Sequence, residues 1–272
     1  MQSRIVAAIG MKLEPVALVW TDAKPAKAVE FAANRWGCIM FHLALAAKGK
    51  TAVVSRETFG CFGGGVGLGF GNKYRDFPGG EECFCHFLSD GNAGSEEGRA
   101  LGQQMAGAGG GHMADDFLHG ERYLKDSRAA AQFVRALPMT DIPAKYVVFK
   151  PLSEADLDTE NVRSITFFAE PDQLAALVVL ANYEADTNEN VVIPFAAGCQ
   201  SIGIYVYREW EKEQPRAVVG LVDISARSNV RKQLGTDVMS FSVPPSLFLR
   251  MEENVPGSFL ERSSWQTLRT SE

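Results

Sequence analysis

The chain has 272 residues, 46% of them hydrophobic and 22% charged, with a formal net charge of −6. That apolar content fills one large domain or two small ones, and no stretch is basic enough for nucleic acid or an anionic membrane surface. No apolar run reaches a membrane span, Lys12 interrupts the apolar N-terminus with no clean cleavage site after it, and five cysteines are an odd number for a disulfide framework, so a cytoplasmic protein is expected.

Pro15–Trp20 (PVALVW) reads as a buried strand, followed by a helix over 25–33 and a second over 38–47 that Gly49 stops. TAVVS (51–55) is a short β-branched strand, and Cys61 opens the run CFGGGVGLGFG, which can form a short helix despite its glycines. Residues 89–120 are rich in Gly, Ala and acids. One or two helices joined by mobile loops are expected there, with 90–115 as a mobile insert. A helix over 123–137 ends before Pro138. In the second half, strands are expected at 146–150, 164–169, 191–194, 217–223 and 238–243. Helices are expected at 171–183, 199–210, 245–252 and near 258–261. The fold class is therefore mixed α/β (α+β), one globular unit with a mixed sheet. A weak repeat pairs VALVW, TAVVS and Gly60-Cys61 with ITFFA, VVIPF and Gly198-Cys199, and would make two related halves. It puts Cys61 and Cys199 at matching places, so that a pseudo-twofold would bring both towards one interface.

The dipeptide Gly-Cys occurs three times, at Gly37-Cys38, Gly60-Cys61 and Gly198-Cys199. Each lies where an irregular segment turns into a helix. A helix start lowers a thiol's pKa, and a thiolate is a nucleophile and a soft metal ligand. Seven glycines fall between Gly60 and Gly71, among them Gly63, Gly64 and Gly65. They imply close backbone approach, by packing or by a ligand, although the dinucleotide register is missing. ALAAKGKT (44–51) is no phosphate loop, because a helix precedes it and a strand follows. Cys83 and Cys85 would share one face of a strand, but no second cysteine pair completes a four-donor site. His112 and His119 flank Asp115 and Asp116 and read as a solvated helix start. Asp223–Arg231 opens a helix with Ser225 as cap, and Arg227 and Arg231 share a face that could hold an anion. No nucleophile elbow is present.

The chain resembles the domain of unknown function 169 family, of archaea and anaerobic bacteria. The resemblance rests on LEPVALVW, Arg35 with Gly37-Cys38, TAVVS with Gly60-Cys61 and its glycine run, IPFAAGCQS, and MSFSVPPSLFLRMEENVPGSFL. It implies family cysteines at the positions of Cys38, Cys61 and Cys199, and its anaerobic distribution is compatible with an oxygen-sensitive iron–sulfur centre. Three readings follow. In the first, the three cysteines converge as metal ligands for a [4Fe–4S] cluster with a redox or Lewis-acid role, the fourth ligand being a substrate, water, His42 or Cys85. In the second, a glycine-rich cleft (Gly60, Gly63, Gly64, Gly65, with Arg35 and Gly198) binds a small anionic ligand or nucleotide. In the third, Cys61 or Cys199 is a nucleophile. A small molecule or an electron-transfer partner, and a homo-oligomer, fit these readings; nucleic acid and membrane do not.

Overall fold

The computed structural model describes residues 3–33, 35–107 and 111–270. In chain order the elements are α1 (Arg4–Ile9), β1 (Val16–Thr21), α2 (Met40–Ala46), β2 (Ala52–Ser55), α3 (Phe62–Gly67), α4 (Gly80–Phe87), α5 (Glu96–Gly107), α6 (Gly111–His119), α7 (Ser127–Ala136), β3 (Tyr146–Pro151), β4 (Val162–Ala169), α8 (Pro171–Ala181), β5 (Val191–Val192), α9 (Gly198–Ile202), α10 (Ile204–Trp210), β6 (Ala217–Gly220), α11 (Ile224–Leu234), β7 (Met239–Val243), α12 (Pro245–Glu253) and α13 (Ser263–Thr270). They form two compact units: the chain through Phe70 together with the chain from Thr140 onward, and Gly71–Met139 between them.

The first unit is built on one mixed sheet of order β2-β3-β1-β4-β7-β6-β5 among the described residues. Every neighbouring pair is antiparallel except β5 and β6. Strand alternation sorts the side chains onto two faces. Ala17, Val19, Ile165, Phe167, Phe241 and Val243 point to one face, where they join Ile5, Leu177, Phe248 and Trp265 in a continuous core. That face is covered by α1, α8, α12 and α13. The opposite face carries small buried hydroxyls, Ser164, Thr166, Ser240 and Ser242, with Thr166 Oγ1 and Ser242 Oγ 2.9 Å apart. Helices α2, α9 and α10 pack over that side. At Gly220 a Cβ would collide with the Ser201 side chain, so α9 can lie this low on β6 only because position 220 is glycine.

The sheet repeats itself about its centre. From the antiparallel pair β1–β4 outward come β3 and β7, then β2 and β6, with matching directions. The outermost position is β5, parallel to β6, on one side; on the other it is Val29, in a parallel bridge to Ala52 of β2. The chain visits these positions in the same order in each half. The two related halves are thus real at the level of topology, with a register that differs from the sequence repeat: VVIPF matches the Val29 segment, and TAVVS matches β6.

Other differences have local causes. Residues 25–33 form no helix, because the Val29 amide and carbonyl bond Thr51 O (2.9 Å) and Val53 N (2.8 Å). The helix expected over 199–210 breaks at Gly203, whose φ of −109° and ψ of −103° separate α9 from α10. Asp126, not Tyr123, starts α7, its carboxylate accepting from the Ala129 amide at 2.8 Å.

The second unit is helical among its described residues. Its core is aromatic: Tyr74 stacks on Phe84 with centroids 3.7 Å apart, and Phe77 meets Phe84, Phe87 and Phe117. Cys83 and Cys85 lie on α4, not on a strand. The expected insert 90–115 is part of this larger unit and contributes α5 and the start of α6; its residues 108–110 fall outside the described residues. Among the described residues no helix is long and apolar enough to cross a membrane.

Candidate functional site

All three Gly-Cys pairs lie in the sheet unit, each at a helix start. Cys38 stands two residues before α2. Cys61 is the N-cap of α3, its sulfur accepting from the Gly64 amide at 3.3 Å. Gly198 and Cys199 open α9. Two backbone meetings bring them together. The Gly37 amide donates to the Gly60 carbonyl at 3.4 Å, tying the first pair to the second. Helix α3 then packs on α9, because at Gly67 a Cβ would stand only 2.7 Å from the Cys199 carbonyl carbon. The Cys199 thiol donates to the Gly63 carbonyl at 3.0 Å.

The glycine run is therefore an instrument of packing. Gly64 receives Ile39, Gly67 receives the backbone of Cys199, and Gly69 receives Ile142. Gly65 is buried within α3, while Gly60 takes φ +76°, conformationally natural for glycine. Gly198 lies against Met40 and Ala226. Arg35 is exposed on the segment that leads to Cys38.

Cys199 is buried, and Cys38 and Cys61 are half-buried. Burial raises all three thiols, reversing the expectation that helix starts lower them. Cys38 is pushed up to about 12 by desolvation, with the neighbouring Cys61 adding to it. Cys61 is raised by burial against the opposing amides of Gly64 and Ile39. Cys199 is raised well above its ordinary value, by burial first and then by Cys61 and Cys38. The three thiols are thus electrostatic neighbours, and protonated at neutral pH in the absence of metal. Among the described residues, no group of three or more His, Cys, Asp and Glu side chains is placed to hold a single metal ion.

Asp223 was not singled out by its sequence. Its carboxylate caps α11, accepting from the Ala226 amide at 2.5 Å, and also takes the Gly198 amide. It acts on Cys38, Cys61 and Cys199 alike, and burial raises its own pKa. Ser225 is therefore not the cap of α11. Arg227, offered as an anion ligand, is engaged by protein: its guanidinium donates to the carbonyls of Leu221, Thr236 and Val238 at 3.3, 2.7 and 2.9 Å.

His42 lies on α2, 2% exposed, with its ring tilted by 33° against Phe31, centroids 4.0 Å apart, and neither nitrogen hydrogen-bonded within the protein. Burial lowers it to about 4. Cys85 belongs to the helical unit. His119 is exposed near Asp115, 3.7 Å away, and the side chain of His112 falls outside the described residues.

No curated protein and no solved structure matches the chain. A family model, described as an uncharacterised ArCR family, matches residues 4–254, which take in every Gly-Cys pair and Asp223. The chain belongs to the domain of unknown function 169 family.

Proposed function

We propose that Cys38, Cys61 and Cys199 hold an iron–sulfur cluster of the [4Fe–4S] kind. The observation that carries this reading is the gathering of three thiols, from three separate helix starts, into one water-poor neighbourhood. The donor set fits: thiolates are the ligands such clusters take, and backbone amides of Ile39, Met40 and Gly64 already point at the sulfurs of Cys38 and Cys61. A cluster is larger than one ion, so its ligands stand farther apart than those of a mononuclear site. When bound, a cluster supplies one-electron transfer or a Lewis-acidic iron.

The chain's own residues then have defined tasks. The three thiols must each lose a proton, and Cys199 must release the Gly63 carbonyl. The amides around Cys61 stabilise charge on sulfur and would raise the reduction potential. The packing of Gly67 on Cys199 fixes the spacing. The nucleophile reading is weakened by the raised pKa values, which leave little thiolate at neutral pH. The cleft reading is weakened because Gly60, Gly64, Gly67, Gly69 and Gly198 pack against the protein's own backbone and side chains. The test is anaerobic purification or reconstitution, followed by visible spectroscopy with iron and sulfide analysis. About four irons and four sulfides per chain are expected, lost when two of the three cysteines become serine. Colourless protein with no iron or sulfide after anaerobic reconstitution would overturn the reading.

A further inference from the structure

The repeat within the sheet unit assigns a partner to every element at the site. Helix α2, entered through Gly37-Cys38, joins the outermost position to β2; the helix entered through Gly198-Cys199 joins the outermost strand β5 to β6. Next in each half comes a helix lying between the third and fourth strand positions. In one half it is α3, whose N-cap is Cys61; in the other it is α11, whose N-cap is Asp223. The packing obeys the same rule. Helix α2 packs on α11, and its counterpart α9 packs on α3. Cys38 therefore corresponds to Cys199, and Cys61 to Asp223.

From this correspondence we infer that Asp223 is the fourth ligand of the centre, a carboxylate standing where a strict repeat would place a fourth thiolate. The inference rests on the cluster reading and extends it. Two observations support it besides the topology. Asp223 is an electrostatic neighbour of all three sulfurs. Its carboxylate is also bonded to the Gly198 amide, the residue before Cys199, which ties the two donors of that half together. His42 fits less well: its ring lies on Phe31, and the charge acting on it is that of Glu30. A carboxylate is a harder donor than a thiolate, so the iron it holds exchanges more readily and is the one open to a further ligand.

The test compares wild type, Asp223→Cys and Asp223→Ser, each reconstituted anaerobically with iron and sulfide alone. Mössbauer and electron paramagnetic resonance spectra are the readouts. Serine keeps an N-cap oxygen for α11, so the fold survives, and circular dichroism checks it. In wild type one iron in four is expected to differ from the other three. Asp223→Cys should abolish that difference while retaining the iron. Asp223→Ser should lose one iron in four on mild oxidation, giving a three-iron signal. If wild type assembles a cluster and both variants give its unchanged spectrum, this inference is overturned and the three-cysteine reading stands. If wild type takes up no cluster, both fall together.

Discussion

At Cys38, Cys61 and Cys199 two effects oppose each other, and the larger decides the chemistry. Partial positive charge at a helix start favours thiolate by a fraction of a unit to a few units. Burial beside other acids favours thiol, and it wins: Cys38 reaches about 12. A raised folded pKa means that this stabilisation is complete below the unfolded value, 9.0, and is lost as pH climbs towards the folded one. The metal-free protein should therefore lose thermal stability steadily above about pH 9, as melting curves at stepped pH would show. Cluster loading releases three protons, so reconstitution should quicken as pH rises from 7 to 9, and a flat rate would contradict the thiol assignments. His42 gives the opposite limb. Its pKa falls from 6.5 to about 4, so its contribution is present above 6.5 and disappears as pH drops through 4. The size is roughly 3 kcal/mol from the conversion of pKa to free energy. His42→Leu should match wild type in stability near pH 7 and flatten the acid limb between those values, measured by urea unfolding.

Among the elements, α3 and α9 depend on a contact with no slack. A Cβ at position 67 would meet the backbone of Cys199 and Gln200 at 2.7–2.9 Å, and backbone cannot rotate away as a side chain can. Gly67→Ala should cost on the order of 1–3 kcal/mol, as overpacking does, and should disturb the cysteine site more than the sheet. Unfolding curves and iron content read the two effects separately. Gly49→Ala is the control: unlike Gly67 it has positive φ, and nothing stands within 4 Å, so its cost is conformational only. This contact also explains what the sequence could and could not reveal. Strands such as VALVW and ITFFA were legible because β-branched and aromatic runs bury both faces. The helices over 171–181 and 245–253 were legible from Pro171 and Pro245 at their first turns. The segment 25–33 was not, since its conformation depends on hydrogen bonds to residues some twenty positions later, Thr51 and Val53. The three cysteines were visible through their shared Gly-Cys grammar. Asp223 was hidden because it is a carboxylate in a place where the other half has a thiol. Aligning TAVVS with AVVG, rather than with VVIPF, would have exposed it.

For the molecule as a whole, the chain leaves the sheet unit after Phe70 and resumes it at Thr140, and these two ends lie side by side within the sheet unit. Phe70 and Asp141 form an antiparallel bridge, and the Ile142 amide donates to the Gly69 carbonyl at 2.8 Å. Arg56 clamps this stem, 2.8 Å from Asp141 and donating to the Ile142 carbonyl at 2.7 Å, with its guanidinium 5.4 Å from the centre of the Phe70 ring. Bridged residues need only a tight turn between them. Replacing residues 71–139 by a short glycine-containing linker should leave the sheet unit folded and cooperative, with a sharp melting transition; a broad, non-cooperative transition would show that the unit depends on its insert. The halves make the same stem informative in another way. The position in the second half that corresponds to it lies between α11 and β7, where Gly235, Thr236 and Asp237 make an exposed turn. One half has been lengthened by a whole folding unit at this joint, and the other by a few residues. The turn at Gly235 is thus the equivalent joint of the second half, and a reporter domain grafted there should be carried without disturbing the sheet.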